Sequence, residues 1–197
     1  MAEQDGKRLV LILKGSPREK GNSAALADRV AAGARETGAE VRSVSLHSLD
    51  IRPCDACDLC RENGAGCVID DDMQALYPQL LAADAILIAS PIYYFTISAQ
   101  TKLCIDRWYA LESPQTGNAL RGKRFGIVLT YGDTDLYTSG GINAIHTFES
   151  IFRYIRAEIV GMVYGTASDP GDVEKQPALM DQAYQLGLRM GKEPDQV

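Results

Sequence analysis

Five short apolar runs, at residues 9–14, 40–46, 85–90, 125–130 and 159–164, alternate along the chain with five stretches of helical periodicity. The run Ala85-Ile86-Leu87-Ile88-Ala89 shows no polar alternation, the pattern of a parallel strand covered on both faces. Residues 22–37 are alanine-rich and stop at Gly38, which reads as a helix and its terminator. In the second helix Met73, Leu76, Tyr77, Leu80 and Leu81 fall at i, i+3, i+4, i+7 and i+8, one apolar stripe. Asp71 is placed to cap that helix, and Gln74 three residues on completes the pattern of a capping box. Residues 98–111, 143–156 and 177–190 supply three more helices, and no repeat, linker or low-complexity segment interrupts them. Strand and helix in strict alternation predict an α/β fold: a doubly wound five-stranded parallel sheet with right-handed crossovers. The expected strand order is 2-1-3-4-5, in a single domain over residues 1–197.

Composition narrows this picture. A chain of 197 residues is long enough to bury a sizeable core, and 46% hydrophobic with 23% charged residues is the balance of a soluble globular protein. The net charge of −6, with no basic stretch, argues against nucleic acid as a partner. No apolar run approaches the roughly 18–20 residues needed to span a bilayer. The polar start, Met1 to Lys7, leads straight into the first strand and not into a signal-peptide core, so a cytoplasmic protein with reduced thiols is expected.

In a doubly wound sheet the ligand sits outside the carboxyl ends of the strands, so the loops after strands one, three and four are expected to carry the site. Loop one reads Gly15-Ser16-Pro17-Arg18-Glu19-Lys20-Gly21-Asn22-Ser23 and opens a helix. Ser16, Asn22 and Ser23 can donate side-chain hydrogen bonds, and helix N-terminal amides with their dipole favour a phosphate. Arg18 adds a cation that can reach the same anion. The plainer alternative is a polar turn with an N-cap, because Gly, Ser and Asn are common turn residues. Loop three, Ser90 to Ser98, places Tyr93, Tyr94 and Phe95 in succession at the mouth of a buried strand, where a flat conjugated ring finds edges and faces to pack on. At least one of these rings is expected to be structural. Loop four, Thr130-Tyr131-Gly132-Asp133-Thr134-Asp135, can close the other side.

Four cysteines, Cys54, Cys57, Cys60 and Cys67, form a C-x2-C-x2-C-x6-C run within a loop at 53–69. Two-residue gaps let successive thiolates converge on one inorganic centre, as in iron–sulfur ligation. Zinc is an alternative, although its ligands usually fall into two separated pairs, and metal-free thiols are a third reading. Gly64 and Gly66 would let the chain curl Cys67 back. Cys104 reads as a small buried hydrophobe, and His47 and His146 as structural residues.

Together these residues resemble the NAD(P)H-dependent FMN reductase branch of the flavodoxin-like proteins, and within it the iron–sulfur flavoproteins. The resemblance rests on Gly15-Ser16-Pro17-Arg18 with Gly21-Asn22-Ser23, the cysteine run followed by Asp70-Asp71-Asp72-Met73, then Ala83-Asp84, Ser90-Pro91-Ile92-Tyr93, and Lys102 with Asp106-Arg107. It implies a three-layer α/β/α sandwich of flavodoxin-like fold holding FMN in three loops. Ser16, Arg18, Asn22 and Ser23 match the phosphate-binding positions. Pro91, Ile92, Tyr93, Tyr94 and Phe95 match the loop along the ribityl chain and ring, and Tyr131, Gly132 and Asp133 fall in the third loop. Cys54, Cys57, Cys60 and Cys67 fit the ligand pattern of one [4Fe–4S] cluster, while cluster-free relatives keep several such thiols. Lys102, Asp106 and Arg107 match a helix-three signature that is read as structural or as an oligomer contact. No side chain is expected to act as a catalyst, since flavin carries the redox chemistry. With a cluster, single electrons would pass to a protein such as ferredoxin; without one, NAD(P)H would reduce FMN, which then serves a quinone or another small acceptor. The resemblance also implies a homodimer or homotetramer. A flavodoxin-type electron carrier and a thiol-based sensor are the readings from other classes.

Overall fold

The computed structural model describes residues 7–62 and 66–193. Gly64, expected to help curl the cysteine loop, lies outside them. Five parallel strands, β1 (Leu9–Lys14), β2 (Glu40–Ser45), β3 (Ala85–Tyr93), β4 (Arg124–Tyr131) and β5 (Glu158–Thr166), form a sheet in the order β2-β1-β3-β4-β5. This is the expected flavodoxin-like topology. The long helices are α1 (Asn22–Glu36), α2 (Met73–Ala82), α3 (Ala99–Asp106), α4 (Gly141–Ile155) and α5 (Pro177–Gly191), and a single helical turn, Leu59–Glu62, lies in the cysteine loop.

Successive residues of a strand point to opposite faces, and β1 shows the consequence directly. Leu9, Leu11 and Leu13 pack with α2, α3 and α4, while Val10 and Ile12 pack with α1 and α5. A strand covered on both sides can therefore carry an unbroken apolar run. β2 lies at the sheet edge and is mostly exposed, with Val41 and Val44 turned to opposite faces. Among the described residues no helix is long and apolar enough to cross a membrane.

Several boundaries differ from the sequence expectation, each for a local reason. Leu46 leaves the second strand for a 3-10 turn, Leu46–Ser48. β3 runs past Ser90 to Tyr93 because its end folds back as a hairpin, pairing antiparallel with Thr96–Ile97. The helix expected over 98–111 breaks at Asp106 into a 3-10 segment, Arg107–Leu111. The stripe of α2 holds for Met73, Leu76, Tyr77 and Leu80, but Leu81 in its last turn is 45% exposed. The capping box does not form. Asp71 Oδ1 does accept from the Met73 amide (3.0 Å), but the Gln74 side chain reaches the carbonyls of Cys67 (2.8 Å) and Ile69 (2.7 Å). Gln74 thereby ties the end of the cysteine loop to α2.

Candidate FMN cleft and cysteine loop

Loop one leaves β1 through Gly15, whose amide donates to the Ala89 carbonyl (2.7 Å) and whose carbonyl accepts from the Ser98 hydroxyl (2.7 Å). A side chain there would displace its neighbours, because a Cβ would lie 1.9 Å from Thr101 Oγ1. Ser98 also accepts from the Thr101 amide as the N-cap of α3, and its own amide donates to Ser90 Oγ (3.0 Å). This buried hydroxyl network fixes loop one against loop three.

Past Gly15 the chain turns sharply, with Ser16 Oγ accepting from the Arg18 amide (3.1 Å). α1 then starts after Gly21, which has no side chain to cap it, and no acidic residue occupies its first turn. The amides of Asn22, Ser23 and Ala24 precede the first helical backbone bond, Ala25 to Gly21. Unpaired amides at the positive end of a helix dipole fit a phosphate. The side chain of Asn22 differs from its expected role. Its Nδ2 donates to the Asp169 carbonyl (2.8 Å) and its Oδ1 accepts from the Val173 amide (3.4 Å), so it pins the loop after β5.

Ser16, Arg18, Gly21, Asn22, Ser23, Pro91, Ile92, Tyr93, Thr130, Tyr131, Gly132, Ala167 and Ser168 line one open cleft of about 240 Å³. Nine of the twelve residues named from the sequence for a cofactor are thus brought together; Tyr94, Phe95 and Asp133 are not among the lining residues. The three consecutive rings are all exposed in the single chain (Tyr93 42%, Tyr94 96%, Phe95 55%), so none packs beneath the loop, and Tyr94 stacks edge-on against Phe95 at 5.8 Å. Tyr131 is buried, which raises its phenol above the ordinary value. Sequence reasoning missed Ala167 and Ser168. The Ala167 amide donates to the Tyr131 carbonyl (2.7 Å) and the Ser168 hydroxyl to the Gly132 carbonyl (3.1 Å), stitching loop five to loop four. The same rule that selected loops one, three and four also covers the end of β5, and would have found them.

The residues of the cleft fit FMN at both of its ends. Uncapped amides and Arg18 meet an anion, and Tyr93 and Tyr131 offer aromatic surface within the same opening.

The cysteine loop is a separate structure. Cys54 and Cys57 are exposed and Cys60 and Cys67 partly buried, and all four line one void of about 20 Å³. Gly66 adopts the left-handed φ of 84° that its expected role requires. Burial, with Cys67 and Cys57 close by, holds the Cys60 thiol above its ordinary value. Among the described residues no three His, Cys, Asp or Glu side chains converge closely enough to hold a metal ion. Arg107 underlies the loop: 1% exposed, it donates to the Arg52 carbonyl (2.9 Å), to Cys67 Sγ (3.1 Å) and to both carboxylate oxygens of Asp71. Lys102 and Asp106 form an exposed pair at 2.6 Å. Cys104 is buried, with its thiol pushed up to about 12 by desolvation, and His47 and His146 are exposed.

Comparison with known proteins places this geometry. The chain is similar to an iron–sulfur flavoprotein of Methanocaldococcus jannaschii, 30% identical over 93% of this chain and 95% of that protein. It is similar to another from Methanosarcina thermophila, 33% identical over 86% and 83%. Among solved structures, the NAD(P)H:quinone oxidoreductase from Methanothermobacter marburgensis superposes with a TM-score of 0.76, covering 98% of this chain and 100% of that one at 17% identity, a likeness of fold. The family model described as NADPH-dependent FMN reductase matches residues 8–169, the span that carries every loop of the cleft, and the chain belongs to that family.

Proposed function

We propose that this protein is an FMN-dependent oxidoreductase that takes electrons from NAD(P)H and delivers them to a quinone or a related small acceptor. The observation that carries this reading is the single cleft in which an uncapped helix N-terminus and aromatic side chains share one opening. When bound, FMN supplies the acceptance of hydride and its release as electrons. The chain's residues bind and orient it. The amides at 22–24, the Ser16 and Ser23 hydroxyls and Arg18 hold the phosphate end. Pro91, Ile92 and Tyr93 form one wall and Tyr131 and Gly132 the other. The open mouth leaves room for a nicotinamide and then an acceptor to approach in turn. One FMN-binding domain, working as a homodimer or homotetramer, is part of this proposal.

A second reading adds a [4Fe–4S] cluster on Cys54, Cys57, Cys60 and Cys67, with ferredoxin as partner. It draws on the grouping of the four thiols in one loop and on the names of the two relatives described above, and it requires the loop to close further, since among the described residues the thiols do not converge on a metal ion. Both readings are tested on anaerobically purified protein by quantifying FMN, iron and acid-labile sulfide and by following turnover with NAD(P)H and a quinone. FMN with turnover and no iron supports the reductase alone. About four irons and four sulfides per chain support the cluster. FMN without NAD(P)H turnover would leave an electron carrier.

A further inference from the structure

The hairpin that ends β3 has a two-residue tip, Tyr94-Phe95, between the paired positions Tyr93 and Thr96. Both tip residues have positive φ, 48° and 72°. A tip of this kind normally carries Asn-Gly, since glycine and asparagine tolerate the left-handed region and bulky aromatics do not. An outlier conformation persists where its surroundings over-determine it. Here the surroundings are the start of α4. The Asn143 side-chain Nδ2 donates to the Phe95 carbonyl (3.1 Å), and Gly140 lies so close that a Cβ there would sit 2.5 Å from Phe95 Cβ and 2.6 Å from its Cα. The segment behind them is itself anchored. Asp135 accepts from the Tyr137 and Thr138 amides, and Ser139 Oγ accepts from the Gly141 amide.

We propose that Asn143 and Gly140 are positioning residues that clamp the Tyr94-Phe95 tip in its left-handed form and thereby set Tyr93 in the FMN cleft. The inference rests on the FMN reading above. Asn143 and Phe95 are both exposed, so their hydrogen bond adds little to the stability of the whole fold. Its consequence falls on the tip, whose neighbour Tyr93 lines the cleft. The clamp also joins loop three to the helix that follows loop four, so two walls of the cleft share one support.

The test is a double-mutant cycle. In the wild-type background, Asn143→Ala weakens FMN binding to the apoprotein by about five- to tenfold, as expected for one lost hydrogen bond. The thermal midpoint of the apoprotein stays unchanged, and amide exchange at Phe95 and Thr96 accelerates. Phe95→Gly makes the left-handed tip easy to adopt, so in that background Asn143→Ala changes the FMN dissociation constant less than twofold. Asn143→Gln, which keeps the amide donor, restores part of the affinity. An equal loss in both backgrounds, or no loss in either, overturns the clamp. If the wild-type apoprotein fails to bind FMN, the functional reading falls, and amide exchange at residues 95 and 96 in Asn143→Ala still decides the clamp: unchanged exchange rejects it.

Discussion

Asp71 and Arg107 are a deeply placed ionised pair, with side chains 0% and 1% exposed and hydrogen-bonded to each other. Burial raises the Asp71 carboxyl, but hydrogen bonds from Arg107 and from the Arg52 and Met73 amides outweigh it and leave its pKa below the ordinary value. A folded-state pKa below the unfolded one means that the stabilisation is present above roughly pH 4 and is lost as pH falls through the folded value. Asp71→Asn is therefore expected to lower the urea midpoint at pH 7, by an amount corresponding to about 3–5 kcal/mol for a broken buried pair. It also flattens the acid limb below pH ~4, and both effects are read from urea melts at several pH values. Gly15→Ala makes a different claim. Its methyl would collide with Thr101 Oγ1, and relieving the clash means moving loop one off the Ser90–Ser98–Thr101 network. A loss of about 1–3 kcal/mol in stability is expected together with weaker FMN binding, checked by thermal melts and FMN titration. The sequence marked Gly15 as part of a turn and Arg107 as part of a helix signature. What it could not carry was the break after Asp106, which leaves Lys102 and Asp106 outside and turns Arg107 beneath the cysteine loop.

At the scale of elements, apolar runs and helical stripes were enough to place five strands and five long helices, because the central strands are covered on both faces and are mostly apolar along their length. Boundaries were legible only where a local signal stops an element. Gly38, at φ 87°, closes α1 where expected, and Pro177 opens α5. The tail of β3 had no such signal, since its extension depends on pairing with Thr96–Ile97 and on a tip held from α4. The approach of α1 to α5 was also silent in the sequence. A Cβ on Gly33 would lie 2.2 Å from the Tyr184 carbonyl oxygen, and one on Gly187 2.1 Å from that of Val30, so the two helix backbones touch through paired glycines. Gly187→Val drives the helices apart. Overpacking of about 1–3 kcal/mol corresponds to a fall in Tm of several degrees for a chain of this size, measured by calorimetry. Gly187→Ala is expected to fall between Gly187→Val and the wild type.

Across the whole molecule, doubly wound topology does more for the candidate site than any single motif. Loops after β1, β3, β4 and β5 meet at one sheet edge, so residues as distant in sequence as Ser16 and Ser168 line the same cleft. The meeting of the loops after β1, β3 and β4 was read from strand order and that of the loop after β5 was not, whereas the direction of individual side chains, Asn22 toward loop five or Tyr94 into solvent, depends on contacts made only after folding. The cysteine loop does not share this cleft: among the described residues none lines both the void beneath the four thiols and the FMN site. Sites without common partners behave additively. The Cys54→Ser/Cys57→Ser variant, altered at the two exposed thiols, is therefore expected to bind FMN within about twofold of the wild-type affinity when titrated dilute enough to keep chains apart. Repeating the fluorescence titration at high protein concentration separates two arrangements. Unchanged affinity at both concentrations means each chain completes its own cleft. A loss confined to the concentrated sample means that assembly brings the cysteine loop of one subunit against the flavin of another, since mass action exposes only contacts that need a second copy.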